Sequence, residues 1–299
     1  MEKQKQAYLY ATTVVLLWVT VASAFKISLR YLNFLQLLLY ASLTSVFVLF
    51  LIILVQNKWA LLKSCSKNDY LHSALLGFLN PFLYYVILFK AYELLPVQQA
   101  QPLNQTWIIV LSLLSIVILK QKIGVKHILA IIISFIGVLI ISTQGKIAGC
   151  HFSSSRGVML ALASAFIWAL FWIYNIKDKR DETIKLFLNF VFGFIFVLIA
   201  CLVSSRMAKP SLAGLIGAVY VGVFEMGVTF VLWLKALQLS KTTAQVSNLI
   251  YLVPFLSLIV INFVLGEKIL FSTVIGLFLI MGGIIIQQQN SSGNPAAQQ

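Results

Sequence analysis

Residues 220–240 read YVGVFEMGVTFVLWLKALQLS, and residues 75–95 read LLGFLNPFLYYVILFKAYELL. Laid over one another, they pair Gly222 with Gly77, Lys235 with Lys90 and Ala236 with Ala91, and set Glu225 against Asn80. The correspondence continues in the same order along the chain. AQPLNQTW (100–107) lies over AQVSNLIY (244–251), LKQKI (119–123) over LGEKI (265–269), and Gly137 over Gly283. Upstream, Trp18 in LLWVTVASAFK (16–26) matches Trp168 in FIWALFWIYNI (166–176). One such match means little in a chain of biased composition. Their collinear order, with small register changes at loops, marks a duplication.

The bias itself defines the solvent. Of 299 residues, 61% are hydrophobic and 10% charged, with mean hydropathy +0.97. Soluble domains carry about 25% charged residues, so the chain reads as an integral membrane protein. A helix needs about 20 apolar residues to cross a ~30 Å hydrocarbon core. Spans are expected near 8–28, 34–55, 71–91, 96–118, 124–143, 157–176, 184–204, 212–234, 242–264 and 270–287. The runs are long and continuous rather than alternating, which selects helices over barrel strands. The expected fold is therefore all-α, with ten transmembrane helices. The stretch from Tyr8 lacks a small-residue cleavage site and reads as the first span, not a signal peptide. A polar tail, NSSGNPAAQQ (290–299), reads as disordered, and no soluble domain is expected.

Lys and Arg at the span ends set a direction. With the N-terminus inside, 14 of the 22 basic residues fall in cytoplasmic segments and 8 outside, so both termini are expected in the cytoplasm. The net charge of +14 is then mostly topology and contact with anionic headgroups, with no nucleic-acid partner implied. Cys65, Cys150 and Cys201 lie on separate segments and suggest neither a disulfide framework nor a zinc site. No nucleophile–base pair, zinc spacing, phosphate-binding glycine loop or ATPase motif is present, so neither an enzyme nor a cofactor is expected.

Each copy, 1–145 and 156–289, carries five spans. An odd number makes the second copy enter the membrane from the opposite side. Inverted repeats of this kind are common in secondary transporters, where the substrate site lies near the midplane between the halves. With Trp18 followed eight positions later by Lys26, and LGEKI followed by Gly276 and Gly283, the chain resembles ten-helix EamA-like members of the drug/metabolite transporter superfamily. It departs from the family pattern at Val19, where a glycine is usual, and at Lys120-Gln121, where the first half would carry Gly-Glu. The resemblance implies a permease in the plasma membrane, specifically a bacterial inner membrane. It also implies efflux of amino acids or related small metabolites by a monomer or homodimer. The rival readings are uptake or exchange of a nucleotide-derived compound such as S-adenosylmethionine, and a membrane scaffold without transport.

The candidate site follows from intramembrane polar groups. Glu225 is the one acidic residue deep in a span, where an ionised group costs about 2.5–3.5 kcal/mol, so it is expected to face protein or water. It is the candidate for binding a proton or a cationic substrate group, on a stripe with Gly214, Ala218, Gly222 and Thr229. Asn80, before Pro81, is its counterpart. Gln101 and Asn104 with Trp107, and Gln245 and Asn248 with Tyr251, combine amides with aromatic walls in the fourth and ninth spans. Pro102 and Pro254 mark possible hinges there. Trp18 and Trp168 are candidate cavity walls. Lys26 resembles the family's lysine and is a candidate anion attractor, with snorkelling to headgroups as the alternative.

Overall fold

A computed structural model describes residues 2–107, 109–111, 113–114, 125–146, 154–204, 209–240, 249–250 and 252–291. Among these, every regular element is helical. The first half holds α1 (Glu2–Ser28), α2 (Phe34–Val55), a short α3 (Trp59–Lys63) and α4 (Lys67–Gly77). A π-helical segment (Phe78–Leu83) leads into α5 (Tyr84–Leu94), followed by α6 (Val97–Asn104) and α7 (Val125–Ser142). The second holds α8 (Ser155–Lys177), α9 (Glu182–Ser204), α10 (Leu212–Phe224), α11 (Val228–Leu239), α12 (Leu252–Leu265) and α13 (Phe271–Ser291). Among the described residues, six stretches are long and apolar enough to cross a membrane: Lys3–Ser28, Phe34–Val55, Lys67–Leu94, Ser155–Asn175, Glu182–Ser204 and Leu212–Ala236. Shorter apolar helices cover Ile131–Ser142, Leu252–Leu265 and Phe271–Ile286. α13 runs to Ser291, one residue beyond the expected start of the polar tail; 292–299 lie outside the described residues.

Local chemistry explains the helix starts. Asn33 with Gln36, and Ser66 with Asp69, form reciprocal capping boxes, and the hydroxyls of Ser154 and Ser211 accept from Gly157 and Gly214 amides. Leu43, Phe47, Leu51, Ile199 and Leu202 stay exposed on α2 and α9, as lipid-facing side chains do.

The helices pack chiefly between halves, and reciprocally. α1 lies against α10, α11 and α12, while its counterpart α8 lies against the π segment, α5 and α6. α2 packs on α9 and α10, while α9 packs on α2, α4 and the π segment; α7 pairs with α13. Such reciprocity is what a two-fold relation between the copies produces. It extends to single residues. On one side, the Ser45 hydroxyl donates to the Met226 carbonyl at 2.8 Å, and Gly222 lies against the Ala41 carbonyl and Thr44. On the other, Gly193 lies against Pro81, and Gly77 against the Asn189 carbonyl.

Contacts at the helix ends sort into two groups. One joins Gln4 to Ser240, Gln56 to Thr183, Lys58 to Asp181 and Arg180 to Asp69. The other joins Lys26 to Tyr92 and Leu95, Leu32 to Gly214, Leu95 to Gly157, and Glu267 to the start of α6. In the second group, Glu267 accepts from the Val97 and Gln98 amides at 3.1 and 3.3 Å, capping α6 from across the halves.

The first group centres on Arg180. Its Nε donates to both Asp178 oxygens at 3.0 Å, and its Nη1 donates to the Asp69 carbonyl at 2.9 Å. Burial pushes the Asp178 carboxyl up, but the Arg180 hydrogen bonds and the Arg180 and Lys185 charges outweigh it and hold it below the usual carboxylate range. Burial likewise works against the Arg180 charge, and Asp178 overrides it. Arg180→Ala takes the guanidinium from Asp178, whose side chain is 5% exposed, and leaves it the residue-180 amide at 3.1 Å and the Lys185 charge. The expected loss is about 2 kcal/mol at neutral pH, read by thermal unfolding in detergent. Because the folded pKa is depressed, the contribution is present above about pH 4 and lost as pH falls through the folded value. The wild-type and variant unfolding midpoints therefore converge under acid.

Candidate functional site

The two segments quoted first form equivalent broken helices. Between α4 and α5, Asn80 is extended at φ −148° and ψ 121°, interrupting the helical ladder just before Pro81. At the equivalent place, α10 ends at Phe224, Glu225 caps it, and Gly227 at φ −108° and ψ −97° starts α11. The expected continuous stripe through Glu225 to Thr229 is thus interrupted. Gly214, Ala218 and Gly222 are buried on α10, whereas Thr229 lies in the first turn of α11 and its hydroxyl donates to the Phe224 carbonyl. With Ser45 on the Met226 carbonyl, side chains take up backbone acceptors that the break releases, as a non-helical stretch inside a membrane requires.

Glu225 is only partly buried, and its Oε1 accepts from the Tyr85 hydroxyl at 2.9 Å, a bond between the halves. Asn80 is fully buried, and among the described residues neither its Oδ1 nor its Nδ2 has a partner. The structure places both candidates at corresponding helix breaks.

Aromatic side chains converge beside them. Trp168 stacks on Tyr84 at 4.4 Å and meets Trp107 at 6.4 Å, Trp172 at 5.7 Å and Phe230 at 5.9 Å, centroid to centroid. Phe230 also meets Trp18 at 6.5 Å. Tyr84 in turn packs on Tyr85, the partner of Glu225, at 4.6 Å. Trp18, Trp107 and Trp168 are therefore brought into one cluster that reaches the carboxylate through two tyrosines, Tyr84 and Tyr85. The indole Nε1 groups of Trp18 and Trp172 are buried without a partner among the described residues.

The amides of the fourth span bridge helices. Gln101 donates to Ser257 at 2.8 Å, and Ser257 donates to the Val19 carbonyl at 3.1 Å, while the Gln101 Oε1 stays unpaired. Asn104 donates to Ser164 at 2.9 Å and accepts from Tyr84 at 3.2 Å. Both side chains thus tie helices together around the cluster and leave one free acceptor, on Gln101. α6 ends at Asn104, two residues past Pro102, where a hinge was expected. Gln245, Asn248 and Tyr251 lie outside the described residues. Lys26 donates to the Tyr92 and Leu95 carbonyls at 2.6 and 3.0 Å, so its charge caps the C-terminal end of α5.

Sequence reasoning missed Tyr84, Tyr85 and Phe230. The repeat register held the signal for two of them, since Tyr85 and Phe230 each stand five positions past Asn80 and Glu225. It also missed Asn189, fully buried with an unpaired amide, and Lys185, buried while donating to the Asn175 and Asp178 carbonyls at the end of α8.

Long apolar helices, two paired breaks and a polar–aromatic centre between the copies define a multi-pass membrane protein of the transporter class. Residues 5–143 and 155–287 each match the model of the EamA-like transporter family, and the chain belongs to that family. An uncharacterized transporter of Clostridium kluyveri is 32% identical over 188 residues, which is 59% of this chain and 59% of that protein. Another, from Archaeoglobus fulgidus, is 25% identical over 74% of this chain and 77% of its own length. The Bacillus subtilis uncharacterized transporter YetK is 25% identical over 86% of this chain and 79% of its own. A solved crystal structure with 18% identity superposes with TM-score 0.67 over 97% of this chain and 98% of that one, a likeness of fold.

Proposed function

We propose that the chain is a secondary-active permease of small organic metabolites. Ten spans in two inverted halves, 1–145 and 156–289, enclose its substrate site, and Glu225 couples a proton to the exchange between inward- and outward-facing states. The observation that carries this reading is the pair of matched helix breaks presenting Glu225 and Asn80, from opposite halves, beside one aromatic cluster. Discontinuous helices at a repeat interface are where transporters hold substrate and coupling ions. The two separate groups of end contacts support alternate crossing of the membrane, with loops expected on one side touching one another. Basic-residue bias supports both termini in the cytoplasm, and the family resemblance supports a bacterial inner membrane.

Efflux of amino-acid-like compounds is the favoured direction, taken from the family; uptake or exchange uses the same site. Direction follows from gradients and from relative affinity in the two facing states. The test is a metabolite panel against the purified chain in liposomes loaded on one side. Saturable flux that responds to an imposed pH gradient is the expected result; its absence across the panel leaves a scaffold without transport.

A further inference from the structure

We propose that the group received at Glu225 is a protonated amine, on a substrate of net positive charge with an apolar body. The inference rests on the transport reading above and narrows it, setting net-positive amines in place of the zwitterionic amino acids that the family implies.

Charge at the site is uncompensated. Among the described residues, the neutral Tyr85 hydroxyl is the side-chain partner of the Glu225 carboxylate. The cations of neighbouring helices are committed elsewhere: Lys26 to the Tyr92 and Leu95 carbonyls, and Lys90 to Glu93 at 2.6 Å. Lys235, ten residues on from Glu225, is exposed. A carboxylate in low dielectric needs a proton or a cation. When the proton leaves, a positively charged ligand is the natural replacement.

The surroundings favour the same ligand. Trp18, Trp168, Trp172, Tyr84 and Phe230 form an aromatic cluster joined through Tyr85 to Glu225, and aromatic rings, with their negative quadrupole, attract cations and repel anions. The Asn80 amide, unpaired among the described residues at the matching break, offers an acceptor as well as a donor to a polar group. The unpaired indole N–H groups of Trp18 and Trp172 are single neutral donors suited to a hydroxyl or carbonyl on the substrate body. A full carboxylate would meet no described arginine or lysine there, so a zwitterion is disfavoured as well as an anion.

The test uses three probes with the same ring and two-carbon arm: phenethylamine as cation, phenylalanine as zwitterion and 2-phenylethanol as neutral molecule. Binding to the purified full chain is followed by tryptophan fluorescence, since four of the clustered rings, Trp18, Trp107, Trp168 and Trp172, are indoles. Flux is followed with the quaternary trimethyl form of the amine, which does not leak through lipid. The amine is expected to bind saturably, with both other probes about tenfold weaker or more. Glu225→Gln is expected to weaken the amine by at least about tenfold, with an unchanged size-exclusion profile. Phenylalanine or phenylethanol binding as tightly as the amine overturns the inference, as does a folded Glu225→Gln protein that keeps wild-type amine affinity. If the liposome panel finds saturable flux of other metabolites while the amines neither bind nor cross, the charge assignment fails and the transport reading stands.

Discussion

Glu225→Gln is expected to abolish pH-gradient-driven accumulation and to leave the protein inserted and folded. Glutamine keeps the shape of the side chain and an oxygen to accept from the Tyr85 hydroxyl, so the cross-half bond at 2.9 Å survives. What it removes is the capacity to gain and lose a proton. At one proton exchanged per substrate, a gradient of one pH unit sustains about a tenfold concentration ratio, because each unit is worth about 1.4 kcal/mol. In the variant the ratio is expected to fall to about one, with no dependence on external pH. Liposomes with an imposed gradient give the ratio directly, and protease protection or size exclusion confirms insertion and folding. A variant with the wild-type ratio and pH profile removes Glu225 from the coupling role.

Gly77→Leu has the largest structural effect expected. Gly77 is the last residue of α4 before the π segment, and a Cβ there would meet the Asn189 carbonyl and lie 2.9 Å from the Gly193 nitrogen. These are backbone atoms of α9 and cannot swing aside, so the helices must separate. Close approach at small residues is the chief source of helix association in lipid. Separation would strip contacts from Pro81 and Asn80, the residues that shape the break. Overpacking typically costs about 1–3 kcal/mol, and backbone obstruction puts this change at the upper end or beyond. A drop in unfolding midpoint of several degrees, or loss of folded protein on extraction, is expected. Gly282→Ala is the control: nothing stands within 4 Å of its Cβ position on α13, and alanine favours a helix by up to about 1 kcal/mol. Equal midpoints for Gly77→Leu and wild type contradict the packing account.

Much of the architecture was legible from hydropathy and repetition. The expected spans 34–55, 124–143 and 184–204 fall on Phe34–Val55, Val125–Ser142 and Glu182–Ser204, because an uninterrupted apolar run in lipid has few alternatives to a helix. The repeat register sets Asn80 against Glu225, and each stands at a helix break. The break after Phe224 was not legible, since VFEMGVTF reads as a continuous apolar stretch, and only at Asn80-Pro81 does a proline announce an interruption.

The amides show the opposite limit. Gln101 and Asn104 were identified as candidates to line a cavity, yet each donates to a serine on another helix, Ser257 and Ser164, more than fifty positions away. Lys26 looked like a charge available to an anion and instead closes the end of α5. An intramembrane polar group must find a partner, and composition announces that need without naming who meets it.

Solvent class, span positions and the doubled design are properties of short windows read against a bilayer, and residue order alone carries them. Whether a given carboxylate, amide or ammonium is satisfied depends on which helices meet at its depth. That depends on a few small residues, Gly77, Gly193 and Gly222, letting α4, α9, α10 and α2 approach. Glu225 is a candidate for function because packing leaves it facing a tyrosine and an aromatic cluster, while the lysines nearby are bonded to other groups.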